Sequence, residues 1–138
     1  MIIINQFPPI WDRANARFGL VEKNLKPIFA WGDKIYNPFS VPIPKCLIAH
    51  EGVHGDRQNS IGIEDWWECY LANDKFRLDE EVLAHRAEYA ALLQEYGDNR
   101  TNRRIFLSQT ATRLRAPFYC YKLPIDEARR LLKNCASE

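Results

Sequence analysis

The 138-residue chain has no C-x-x-C pair; Cys46, Cys69, Cys120 and Cys135 stand far apart. That excludes a zinc knuckle and a dithiol redox motif. Their even number would permit two disulfides in a secreted protein, but no signal peptide precedes them, so reduced and mostly buried thiols are expected. Charge of one sign is lacking too: the formal net charge is +1, which gives no global drive toward nucleic acid or membrane. Long apolar runs are missing as well. The opening Met1-Ile2-Ile3-Ile4 is far too short to span a bilayer and lacks the basic flank of a secretion signal. A cytoplasmic protein that is not secreted is the expectation, with neither membrane nor nucleic acid as partner. There are no internal repeats, no low-complexity segment and no separating linker. With 46% apolar residues, the chain is expected to form one domain, 1–138, around a real core.

Histidine is scarce, with three in the chain, yet two of them fall in His50-Glu51-Gly52-Val53-His54. This H-E-x-x-H lies in a stretch, Pro44 to Gln58, that reads as helical. Residues i and i+4 of an α-helix sit about 40° apart, so both imidazoles leave one face and can ligate one ion. Glu51 lies about 60° from His54 on the same wheel, beside the ion and not on it. Two neutral imidazoles, a polarised water and an adjacent carboxylate are the parts of a zinc-dependent hydrolase, and most directly of a peptidase.

A catalytic zinc site takes three protein ligands and keeps one position open. The segment from Phe76 to about Tyr96, closed by Gly97, reads as a second helix. On its wheel Glu81 centres a polar stripe, with His85, Glu88, Leu92 and Glu95 within about 40°. Glu81 is therefore the candidate third ligand, and Ala84 on its flank permits close approach of another backbone. Glu80 is the rival; as a helix-start acid it has a dipole explanation of its own. Cys69, between the two helices, is not needed once two His and one Glu are counted. His85 or Tyr89, both near the Glu81 stripe, are candidates to stabilise an oxyanion.

The remaining punctuation gives coarse elements. Trp11 to Phe18 reads as a short helix ending at Gly19, and Lys26 to Trp31 and Lys34 to Tyr36 as two short strands joined across Gly32-Asp33. Ile63 to Asn73 carries Trp66, Trp67 and Tyr70 at the spacing of one packed helical face, expected to be core. Helices are expected over Thr101 to Leu114 and about Ile125 to Asn134. Arg100, Arg103, Arg104, Arg113 and Arg115 are expected on a solvated face. The fold class is α+β, mainly helical, with a short antiparallel hairpin or sheet beside the H-E-x-x-H helix.

H-E-x-x-H followed by E-x-x-A on a later helix, here His50, Glu51 and His54 with Glu81 and Ala84, is similar to the gluzincins, the zincin peptidases whose third ligand is glutamate. Many gluzincins have, four residues after that glutamate, an Asp that hydrogen-bonds a zinc histidine; this chain has His85. More broadly, Pro27 to Pro38, Leu47 to Gln58, Trp66 to Tyr89, Leu114 to Tyr119 and Asp126 to Arg129 resemble small metallopeptidase-like proteins of tailed bacteriophages. The resemblance implies a zincin-like domain with Zn²⁺ on His50, His54 and Glu81. It also implies Glu51 as general base, and Ile28 to Trp31 as an edge strand that pairs with a peptide or protein substrate. It leaves a second reading from another class: a phage virion or assembly component, meeting other virion proteins in host cytoplasm or virion, whose zinc site is structural.

Overall fold

The computed structural model describes residues 1–133; Cys135 and the expected helix end at Asn134 lie outside the described residues. In chain order the elements are β1 (Ile2–Ile4), α1 (Trp11–Phe18), β2 (Phe29–Trp31), β3 (Lys34–Tyr36), α2 (Lys45–Ile61), α3 (Ile63–Ala72), α4 (Asp74–Tyr96) and α5 (Arg100–Leu114). A 3-10 turn (Pro117–Tyr119) and α6 (Ile125–Lys133) complete the fold. The architecture is α+β and mostly helical.

Helix ends fall where local chemistry puts them. Gly19 closes α1 with a left-handed φ of 63°, while Pro44, extended, stands ahead of α2. Asn73 starts α4 by accepting the Phe76 N–H at 2.9 Å, and Asn99 starts α5 by accepting the Asn102 N–H at 2.9 Å. These are side-chain caps that satisfy otherwise orphaned donors.

β2 and β3 form the expected antiparallel hairpin, turning at Gly32, whose φ is +61°. The sheet has a third strand that the sequence pattern does not announce: β1 pairs in parallel with β3, so the order is β1-β3-β2 and the sheet is mixed. β2 lies at an edge against α2. Its edge is closed at Ala30, however, because that carbonyl accepts Gln58 Nε2 at 3.0 Å and Trp67 Nε1 at 3.3 Å. The expected substrate-pairing edge is thus interrupted within the strand.

The apolar core comes in two parts. Ile10, Ala14, Phe18, Leu20, Phe29, Trp66, Trp67, Tyr70 and Leu71 pack α1 and α3 around β2. Val82, Tyr89, Leu107, Ala111, Leu114, Ala128 and Leu132 join α4, α5 and α6. Between them α2 crosses α4, and here the buried side chains are polar. The buried residues of α2 are His50, Glu51, His54, Gly55 and Gln58, and those of α4 include Arg77, Glu80, Glu81, His85 and Glu88. An interface of this kind gains little from the hydrophobic effect, and burying ionisable groups costs several kcal/mol each unless they pair. Packing of ordinary apolar residues would serve stability better, so this crossing is where chemistry is to be sought. Among the described residues, no helix is long and apolar enough to cross a membrane.

Candidate metal centre

Two helices supply the site. α2 presents His50 and His54 one turn apart, and α4 presents Glu81 opposite them. His50 Nε2 lies 3.3 Å from Glu81 Oε1, and His54 Nε2 lies 3.1 Å from Glu81 Oε2. With zinc–ligand bonds of about 2.0–2.2 Å, the edges of a tetrahedral site are about 3.3–3.5 Å. The two contacts are close to that length. Burial is nearly complete, with His50 and His54 4% exposed and Glu81 2%.

The orientation of His50 is fixed from behind. Its Nδ1–H donates to Glu88 Oε1 at 3.0 Å, since a carboxylate can only accept, leaving Nε2 to face Glu81. This is the carboxylate–histidine arrangement that sets the tautomer of a metal-binding imidazole. Glu88 is itself held by Arg113, whose Nε donates to Oε2 at 2.8 Å. Arg113 is therefore part of the site's support and not simply one of a solvated basic face. Position 88, one turn beyond His85, takes the role that the resemblance puts at position 85.

His85 stands elsewhere. It is fully buried, and its Nδ1–H donates to the Glu81 backbone carbonyl at 2.8 Å. The same Nδ1 lies 3.4 Å from Glu81 Oε1, so among the described residues the compact group of possible ligands is His50, Glu81 and His85, while His54 reaches the other oxygen of Glu81. Of the two trios, that with His54 has the better chemistry. Nδ1 of His85, the nitrogen near Glu81, carries the proton that the carbonyl requires and has no lone pair to give; His85 Nε2 and His54 Nδ1 are both buried without a partner. His85 is also absent from the walls of the cavity that reaches His50, Glu51 and His54, so the expected oxyanion role does not suit it. Tyr89 is remote as well, lining a surface hollow with Asp98 and Arg103.

The hydroxyls that do reach the centre belong to Tyr70 and Tyr119. Tyr70 Oη donates to Glu81 Oε2 at 2.7 Å and Tyr119 Oη to Oε1 at 3.0 Å. Both carbonyls are in turn gripped by one buried side chain, with Arg77 Nη1 donating to Tyr70 O and Nε to Tyr119 O. The helical spacing predicts Tyr70 as plain core. It does stack on Trp66, rings 4.8 Å apart at 18°, and the hydrogen bond is made by its far end.

Glu80, the rival ligand, is committed elsewhere. It is 2% exposed, accepts Trp66 Nε1 at 2.6 Å and pairs with Arg57 Nε at 3.1 Å. It is not the first-turn acid that the dipole explanation needs, because α4 begins at Asp74 and Glu80 falls in its second turn. Cys69 and Cys120 are exposed and Cys46 is partly so, all as free thiols. That departs from the buried thiols expected, and it removes Cys69 from the site.

Electrostatics follow from this crowding. Burial works against a charged His50, yet the Glu81 and Glu88 carboxylates prevail and lift its pKa to about 10. Burial likewise opposes ionised Glu81, but His54 and His50 hold its carboxyl well below the usual range. Glu51, 7% exposed, is pushed up by burial, with His50 and His54 pulling the other way. Burial, then repulsion from His50, brings His85 down to about 4. Tyr70 and Tyr119 are raised well above the usual phenol by burial and by Glu81's charge. The result is a negatively charged carboxylate with two imidazole nitrogens around it, a donor set suited to a divalent cation.

No family model matches the chain, and no solved structure matches it. It is 35% identical over 68 residues to an uncharacterised RING finger protein of Caenorhabditis elegans, a match covering 42% of this chain and 19% of that protein. The chain thus spans less than a fifth of that relative's length, and the likeness assigns no family.

Proposed function

We propose that the chain is a zinc-dependent peptidase of gluzincin type, with His50, His54 and Glu81 as ligands and Glu51 as general base. The observation that carries this reading is the contact of both H-E-x-x-H imidazoles with the Glu81 carboxylate, in a helix crossing to which α2 brings buried polar side chains and no large apolar one. Zn²⁺ fits the donor set of two imidazoles and one carboxylate. When bound it would supply a Lewis acid that polarises the scissile carbonyl and makes water acidic enough to attack.

The chain's own groups do the rest. Glu51, its pKa raised by burial, takes the proton from the attacking water and returns it to the departing amine. A raised pKa suits both halves of that task, since the group must accept a proton and then give it up. Glu88 keeps His50 in the tautomer whose Nε2 faces the ion. Tyr70 and Tyr119 hold the Glu81 carboxylate in place.

The second reading, a phage virion or assembly component with a structural zinc site, draws support from the two hydroxyls that lock Glu81. Against it stands Glu51, which lines the cavity beside His50 and which a structural site has no use for. Hydrolysis of a mixed peptide library by zinc-loaded wild type and Glu51→Gln separates the two. The peptidase reading expects both proteins to hold zinc and the variant to lose about 10² to 10⁴ in rate. Equal cleavage removes Glu51 as base, and a zinc-loaded wild type that cleaves nothing moves the weight to the assembly component.

A further inference from the structure

The cavity that reaches His50, Glu51, His54 and Glu81 continues into apolar surroundings: Ala14, Phe18 and Leu20 from α1 and the loop after it, Phe29 of β2, Trp67 of α3, and Phe118. Its volume is about 80 Å³. An apolar cavity of about 150 Å³ holds benzene, so this one is roughly half the size a phenyl ring needs and suits a branched aliphatic side chain. The walls are not free to yield: Ala14 is 1% exposed, Leu20 2% and Phe18 4%, in the more closely packed of environments. Polar side chains fare worse than small ones here, because a group taken from water onto these walls meets no hydrogen-bonding partner among them.

Resting on the peptidase reading, we propose that this cavity is a side-chain pocket and that the substrate carries Val or Leu next to the bond that is cut. Phe, Tyr and Trp exceed the volume of this cavity, and its walls away from the metal ligands are too apolar to suit Asp or Asn. Ala is accepted but held weakly. Each added buried methylene strengthens binding by roughly threefold to fivefold, so Leu should exceed Ala by roughly thirtyfold or more.

The test uses acetylated peptide amides Gly-Ala-X-Ala-Gly with X as Ala, Val, Leu, Phe or Asp, in two measurements. One is binding to the zinc-free protein, followed by tryptophan fluorescence because Trp66 and Trp67 line the cavity. The other is cleavage by the zinc-loaded protein, with the cut site read by mass spectrometry. Val and Leu should bind and be cleaved at least tenfold better than Ala, Phe or Asp. Phe118→Ala, which removes a partly buried wall, should shift the preference toward Phe by at least tenfold. Ala14→Val, which narrows the cavity, should shift it from Leu toward Ala. Cleavage indifferent to X, in wild type and in whichever of these variants folds, overturns the pocket and leaves the peptidase standing. Leu-selective binding with no cleavage of any peptide overturns the peptidase and leaves the pocket. Neither selective binding nor cleavage overturns both.

Discussion

Replacing Gly55 by Ala should destabilise the protein, against the ordinary preference of helices for Ala. A methyl group at position 55 would meet the Gly32 carbonyl oxygen at 2.2 Å and Met1 Cε at 3.1 Å. The methionine end can swing aside, but Gly32 is the backbone of the hairpin turn. Close carbon–oxygen contacts are about 3.3 Å, so α2 and the hairpin must part by about 1 Å. That separation loosens Gln58, a fully buried side chain which ties the two together by donating to Ala30 O at 3.0 Å and accepting the Gly32 N–H at 2.7 Å. Buried polar groups left without partners cost about 1–3 kcal/mol each, while the helix gains about 1 kcal/mol from losing a glycine. The net loss should be about 2–4 kcal/mol, a large share of the roughly 5–15 kcal/mol of a small domain. Gly52 supplies the control, since a methyl there meets Met1 Sδ at an unstrained 3.9 Å. Gly52→Ala should therefore be neutral or stabilising by up to about 1 kcal/mol. Urea unfolding midpoints of the two variants measure the contrast, and a Gly55→Ala protein as stable as Gly52→Ala would refute the close-approach argument.

Other expectations follow from the same network. Glu88→Gln should keep the fold and lower metal affinity about 10- to 100-fold, as loss of a group that orients a ligand usually does; isothermal titration with Zn²⁺ gives the number, and unchanged affinity would deny Glu88 that role. Arg77→Lys cannot hold the Tyr70 and Tyr119 carbonyls together, and should cost about 2–4 kcal/mol of stability in urea because it leaves buried carbonyls unpaired. In the zinc-free protein, His85 is held at about 4 against an ordinary 6.5, so its contribution is present above pH 6.5 and is lost as pH falls toward 4. His50, lifted from 6.5 to about 10, contributes fully below pH 6.5 and loses that contribution as pH rises toward 10. Urea midpoints against pH should thus decline on both sides, and zinc, which displaces the His50 proton, should flatten the alkaline side; an alkaline limb that zinc leaves unchanged would contradict the assignment of His50.

How much of this is legible in the sequence depends on whether a signal is local. Gly19, Pro44 and Gly97 mark helix ends because left-handed and extended conformations are written in single residues, and the Gly32-Asp33 turn marks the hairpin. The wheel of α4 groups Glu81, His85 and Glu88 from residue spacing alone, since a shared face is a matter of period. β1 carries no such mark: three isoleucines have no alternation to read, and their pairing with β3 closes a loop of about thirty residues, a tertiary event. Tyr70, Tyr119 and Arg77 escape a reading of the sequence for the same reason. Their roles depend on which carboxylate or carbonyl a distant element brings to them, and an aromatic residue on a packed face looks alike whether its hydroxyl is orphaned or bonded. Glu80 and Glu81, adjacent in the chain, are distinguishable by their helix faces, but only the fold shows that Trp66 and Arg57 occupy the first.

Zinc content of the purified protein, set beside that of single-site variants at neutral pH, tests the central claim most directly. One Zn²⁺ per chain is expected, sharply weakened in His50→Ala, His54→Ala and Glu81→Ala and retained in Glu80→Ala and His85→Ala. Absence of any transition metal from protein never exposed to chelator would contradict it. So would loss of zinc from Glu80→Ala or His85→Ala while His54→Ala keeps it.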